Sequence, residues 1–158
     1  MTLRDRDLFL ASRTTRGTGR ERAKRVEGCD NRDMERLRPL ILLVEDQFEL
    51  RKMYVQQLEL SGFDVIEAGN GADALTDTAA HCPDVVLMDL SLPVLDGWEA
   101  TRRLKNDART AHIPVVALTA HDGSGELQRA TSAGCDWFVP KPCPPDALVT
   151  EIRRVLAR

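Results

Sequence analysis

No stretch of this 158-residue chain approaches the length of a membrane span, which needs ~18 consecutive apolar residues. A secretory leader is not expected either: Leu8–Ala11 is a brief apolar island beside Asp5 and Asp7, too short for an h-region. Cysteine is sparse. Cys29, Cys82, Cys135 and Cys143 form no CxxC pair and no zinc-ligand spacing, so reduced thiols of a cytoplasmic protein are expected. No Gly-rich turn follows the first apolar run, which excludes dinucleotide binding. Aromatic residues make up 4% of the chain, and none interleaves the run from Arg13 to Arg20, which argues against nucleic-acid recognition. What is present, 42% hydrophobic and 30% charged residues, fits one globular domain rather than wholesale disorder.

Charge is distributed unevenly. Residues 1–38 hold 11 Lys+Arg and 7 Asp+Glu, net +4; residues 39–158 hold 11 and 18, net −7. The basic block has no sustained apolar period, and residues 1–38 are expected to form an Arg-rich, disordered extension. A solvated tail is the preferred reading. An over-extended start, with Met34 as the true first residue, belongs with that reading; the competing one is a weak contact with nucleic acid or an acidic partner.

From Leu40 onward two periods alternate. Leu40–Val44 is a continuous apolar run, as a strand buried on both faces requires. Leu50, Met53, Tyr54 and Leu58 follow at helical spacing until Gly62. The more polar 63–67 reads as an edge strand, and Ala72, Ala74, Leu75 and Ala79 mark a small-residue helix over 70–81. Strands over 85–88, 115–118 and 137–139 alternate with helices over about 97–106 and 125–133. A last helix opens at Pro144 and Pro145, with Leu148, Ile152, Val155 and Leu156 on one face. Such alternation predicts an α/β fold with a parallel sheet covered by helices on both sides, in one domain over 39–158.

Ligands of such sheets bind beyond the carboxyl ends of the strands. Glu45 and Asp46 end the first strand, Asp89 the third and Thr119 the fourth, while Lys141 follows the fifth. Three clustered carboxylates repel one another, and a divalent cation relieves that repulsion. An all-oxygen donor set suits Mg²⁺, with Mn²⁺ as a second choice.

Five blocks in this order resemble the receiver domain of two-component response regulators, the phosphoacceptor family that includes the chemotaxis regulator. They are Leu42–Asp46, Asp84–Pro93, Asp96-Gly97, Pro114–Ala120 and Gly134–Pro142. The resemblance implies a flavodoxin-like, doubly wound five-stranded sheet in the order 2-1-3-4-5. It implies Asp89 as the aspartate phosphorylated by a histidine kinase or histidine phosphotransfer protein. It also implies Mg²⁺ held by Glu45, Asp46, Asp89 and the backbone carbonyl of Ser91. Thr119 matches the hydroxyl that bonds the phosphoryl group, Lys141 the cation that pairs with it, and Phe138 the switch aromatic. A cis bond at Lys141-Pro142 is implied as well. His121, two residues after Thr119, is a candidate modulator of phospho-aspartate lifetime, because a loop histidine titrates near neutrality.

Two rivals compete with this reading. An Mg²⁺-dependent aspartate-nucleophile phosphatase normally carries a second acid two residues after its nucleophile, where this chain has Ser91. A non-phosphorylated scaffold receiver would have lost residues that are all present here. The chain ends one helix after Lys141, so a stand-alone, cytoplasmic receiver is expected, not an enzyme. It would signal to an unknown downstream protein through the face of its fourth helix, fifth strand and fifth helix, with neither membrane nor nucleic acid as partner.

Overall fold

The structure, a computed structural model, describes Cys29, residues 36–120 and residues 124–158. Most of the expected extension, and His121, lie outside the described residues. The order is β1 (Leu40–Val44), α1 (Phe48–Leu60), β2 (Asp64–Ala68), α2 (Gly71–His81), β3 (Val85–Asp89), α3 (Gly97–Asn106), β4 (Val115–Thr119), α4 (Ser124–Ala133), β5 (Trp137–Pro140) and α5 (Pro145–Leu156). All strand pairs are parallel, in the order β2-β1-β3-β4-β5, as expected.

The pleat sorts the apolar strands into two cores. Leu42, Val44, Val86 and Met88 meet Ala74 of α2, Ala100 and Leu104 of α3, and Ala130 of α4. Ile41, Leu43, Val85 and Leu87 meet Tyr54 and Leu58 of α1 and Leu148, Ile152 and Val155 of α5. The central β3 is buried along its whole length, which is why it reads as an uninterrupted apolar run. At the edges, β2 and β5 are only partly covered, and Pro140 sits where a missing N–H costs no ladder bond. Side-chain caps start two helices: Asn70 Oδ1 accepts from Asp73 N (2.9 Å) and Asp96 Oδ1 from Glu99 N (2.8 Å).

Three details differ from the sequence reading. Met53 of the expected stripe is 42% exposed, because it sits at the rim of a cleft. In α2 the buried position is Thr78, not Ala79; its hydroxyl is satisfied by Ala74 O (2.6 Å), so burial leaves no orphan. The expectation that all thiols are reduced is overturned: Cys29 and Cys82 form a disulfide, their Cα atoms 5.1 Å apart. Two cysteines with no motif spacing meet because the fold brings Cys29 against the end of α2, where it joins the core.

Candidate functional site

Asp89 is the last residue of β3 and lies at the carboxyl edge of the sheet. Glu45 and Asp46 follow β1, the neighbouring strand, and one carboxylate oxygen from each of the three lies within 4.8 Å of the others. Their environments differ. Asp46 is exposed, Asp89 is nearly covered, and Glu45 is fully buried.

Lys141 reaches this cluster from the loop after β5. Its Nζ donates to Glu45 Oε2 (2.6 Å) and to Asp89 Oδ2 (3.2 Å). The Lys141-Pro142 bond is cis, as the resemblance implied. Burial pushes the Glu45 carboxyl up, against the lowering pull of the Lys141 hydrogen bond and of Gln47 N–H. Burial opposes the charge on Lys141, but its hydrogen bond to Glu45 and the Asp89 and Glu45 charges outweigh this and hold it above the ordinary lysine range. The ammonium therefore stays charged, and offsets part of the carboxylate repulsion.

Local backbone fixes the acids. Gln47 N–H donates to Glu45 Oε1 (3.1 Å), tying that carboxylate to the start of α1. Ser91 N–H donates to Asp89 Oδ1 (3.0 Å), which sets the aspartate rotamer. Thr119 ends β4 with its backbone carbonyl accepting from Lys141 N (2.7 Å). Asp46, Asp89, Ser91 and Lys141 all line one cleft of about 520 Å³, with Leu50, Met53 and Tyr54 forming an apolar wall. Glu45 stands behind that lining.

Phe138 lies opposite Ala117 in the β4–β5 register, two positions before the Thr119–Pro140 pair, and packs half-buried against the core under α2, α3 and α4. Its neighbour Trp137 faces the other core; its Nε1–H donates to Glu151 Oε2 (2.9 Å), and the Arg158 guanidinium lies over its ring.

Sequence reasoning missed two supports of the site. Arg51 Nη1 donates to the Glu45 carbonyl (2.6 Å) while its Nε pairs with Glu67 (3.0 Å), which links the site to β2. Tyr54 Oη donates to Cys143 O (3.1 Å), bracing the loop after Lys141 from α1. Tyr54 was legible only as a core residue. The signal for its second role was the hydroxyl itself, which needs a partner once buried.

A profile of the response regulator receiver domain matches residues 41–153. The polar-differentiation response regulator DivK of Brucella anthropi is 35% identical over 116 residues, covering 73% of this chain and 94% of that protein. The chemotaxis protein CheY4 of Vibrio cholerae superposes with a TM-score of 0.71 at 25% identity, over 75% of this chain and 98% of that one. The receiver domain of the Pseudomonas aeruginosa sensor histidine kinase PA1611, whose structure has a magnesium ion coordinated in its active site cleft, superposes with a TM-score of 0.72 at 30% identity. That match covers 77% of this chain and 99% of the other. This chain belongs to the response regulator receiver domain family.

Proposed function

We propose that this chain is a cytoplasmic receiver that takes a phosphoryl group on Asp89 from a histidine kinase or a histidine phosphotransfer protein. One observation carries the reading: Asp89, at the end of the buried central strand, opens on a cleft while a lysine ammonium and two further carboxylates crowd round it. Hard oxygen donors so close together, with one ammonium among them in the described residues, fit a divalent cation of the Mg²⁺ kind. Glu45, Asp46, Asp89 and the Ser91 carbonyl would hold it. When bound, Mg²⁺ supplies charge neutralisation at the transferred phosphoryl oxygens.

The chain's own residues do the rest. One Asp89 carboxylate oxygen attacks phosphorus, the bond from phosphorus to the donor breaks, and the donor leaves with that electron pair. Lys141, already 3.2 Å from Asp89 Oδ2, turns toward the new phosphoryl oxygens, and the Thr119 hydroxyl bonds another. Glu45, buried and bonded to Lys141, keeps that ammonium charged and placed. Signalling then runs through protein contacts at α4, β5 and α5.

Intact-mass spectrometry tests this. A small acyl-phosphate donor with Mg²⁺ should add about 80 Da, one HPO₃. Asp89→Asn should abolish the adduct and Asp46→Ala should diminish it. An adduct that survives in Asp89→Asn overturns the assignment.

A further inference from the structure

The corner where α2 gives way to β3 lies at the edge of the sheet opposite Asp89. Cys82 occupies it as the C-cap of α2, with φ 48° and ψ 67°. That left-handed conformation ordinarily falls to glycine or asparagine, because a Cβ makes it costly. The Cys82 side chain at this position is bonded to Cys29 across 53 residues. Both residues are buried, at 3% and 4% exposure.

A second, non-covalent hold lies at the same place. The Arg36 guanidinium donates to the carbonyls of His81 and Cys82, the final acceptors of α2, and lies 3.9 Å from Asp84. Two residues on, Arg38 donates to Glu59 O (2.8 Å) and Gly62 O (3.0 Å). Cys29, Arg36 and Arg38 are thus each fastened at the edge where the strands begin. Of these, only the sulfur link answers to redox conditions.

We propose that Cys29 and Cys82 form a redox site that fastens Cys29 to the α2–β3 corner when oxidised and releases it when reduced. The oxidant is a low-molecular-weight disulfide of the glutathione type. One cysteine thiolate attacks a sulfur of that disulfide and expels one thiolate, leaving a mixed disulfide. The second cysteine thiolate attacks the protein-side sulfur and expels the other. Two electrons pass from the cysteine pair to the external disulfide, and the two protons lost by the cysteines end on the two released thiols. Reduction by a thiol runs the same steps backward. Cys135, whose Sγ faces Thr101 of α3, and Cys143, in the loop after Lys141, remain free thiols outside the pair.

The test uses the full chain equilibrated with glutathione disulfide or with dithiothreitol, then alkylated and digested under non-reducing conditions. In the oxidised sample, Cys29 and Cys82 should resist alkylation and appear as one linked peptide. In the reduced sample both should be alkylated, and trypsin should cut after Arg36 roughly tenfold faster, because opening that corner exposes it. Cys29→Ser should give the fast cleavage in both buffers. Cys82→Gly, which suits the left-handed backbone, should do the same and guards against a misfolded variant. Three results would overturn the proposal: Cys29 alkylated in the oxidised sample, a pair that dithiothreitol leaves intact, or cleavage after Arg36 at one rate in both buffers. None of these readouts involves Asp89, so they are independent of its phosphorylation.

Discussion

Lys141 faces two carboxylates at once, and one of them, Glu45, has no access to solvent. Removing the ammonium leaves a buried acid without its partner, the costly half of breaking an ion pair. Lys141→Met should therefore lose about 3 kcal/mol of unfolding free energy in metal-free buffer. Millimolar Mg²⁺ should return part of that loss, because a divalent ion restores positive charge at the same acids. Urea titrations with and without Mg²⁺ check both statements. Cys135 makes a separate prediction. Burial pushes its thiol up to about 11, so at pH 8 only about one molecule in a thousand carries the thiolate. Iodoacetamide at pH 8 should leave Cys135 unlabelled in the folded chain and label it after denaturation. The folded pKa is raised, so this residue's contribution to stability is full below the unfolded thiol pKa and lost as pH climbs through about 11. Between pH 9 and 11 the stability should fall, and Cys135→Ala should fall less.

Among the elements, α3 starts directly against the backbone of the site. A Cβ at Gly97 would lie 2.1 Å from the Asp89 carbonyl oxygen and 2.7 Å from Leu90 Cα, both backbone atoms with nowhere to go. Gly97→Ala should lower the melting temperature by several degrees and slow phosphorylation at Asp89, since the strand end must move; differential scanning calorimetry and intact mass read the two effects. Every element was legible in the sequence, because an apolar run such as Val85–Met88 and a helical stripe such as Leu148, Ile152 and Val155 need no tertiary knowledge to interpret. The acids and Lys141 were legible for a related reason: strand ends of a parallel sheet share one edge, whatever the packing. Met53 and Thr78 were not, because spacing names a helix face but not its rim, and a threonine can bury by bonding back to its own helix. The Cys29–Cys82 bond was invisible for a stronger reason. Nothing local distinguishes a cysteine that will meet another 53 residues away from one that stays free.

For the whole molecule, that bond closes a long loop in the unfolded chain. On a chain-entropy estimate, closing a loop of this length is worth about 4 kcal/mol. A chain starting at Glu35 should be less stable than the full chain by that order under oxidising conditions and equal to it in dithiothreitol, as denaturant titrations in the two buffers will show. Communication across the molecule offers a further test. A phosphoryl group drawn to the Thr119 hydroxyl would move the end of β4, and Phe138, which faces Ala117 in the next strand, borders that movement. With Trp98→Phe removing the other indole, a phosphate mimic with Mg²⁺ should change Trp137 emission, and Thr119→Ala should blunt the change while Asp89 still accepts phosphate. An undiminished signal would place the route elsewhere. Such coupling is typically ~1–3 kcal/mol, enough for partial switching.

The central strand gives these two ends of the protein an unequal relationship. Cys82 precedes the foot of β3 by three residues and Asp89 is its head, so the sulfur chemistry and the acid cleft are joined by a single rod. Five residues at about 3.3 Å each make that rod roughly 16 Å long. A disulfide and a pair of protonated thiols are both uncharged, so the redox change sends little electric field along it. A change at the disulfide will reach Asp89 as a displacement of β3 along its own axis or not at all, and a receiver with a rigid β3 would keep its two chemistries insulated.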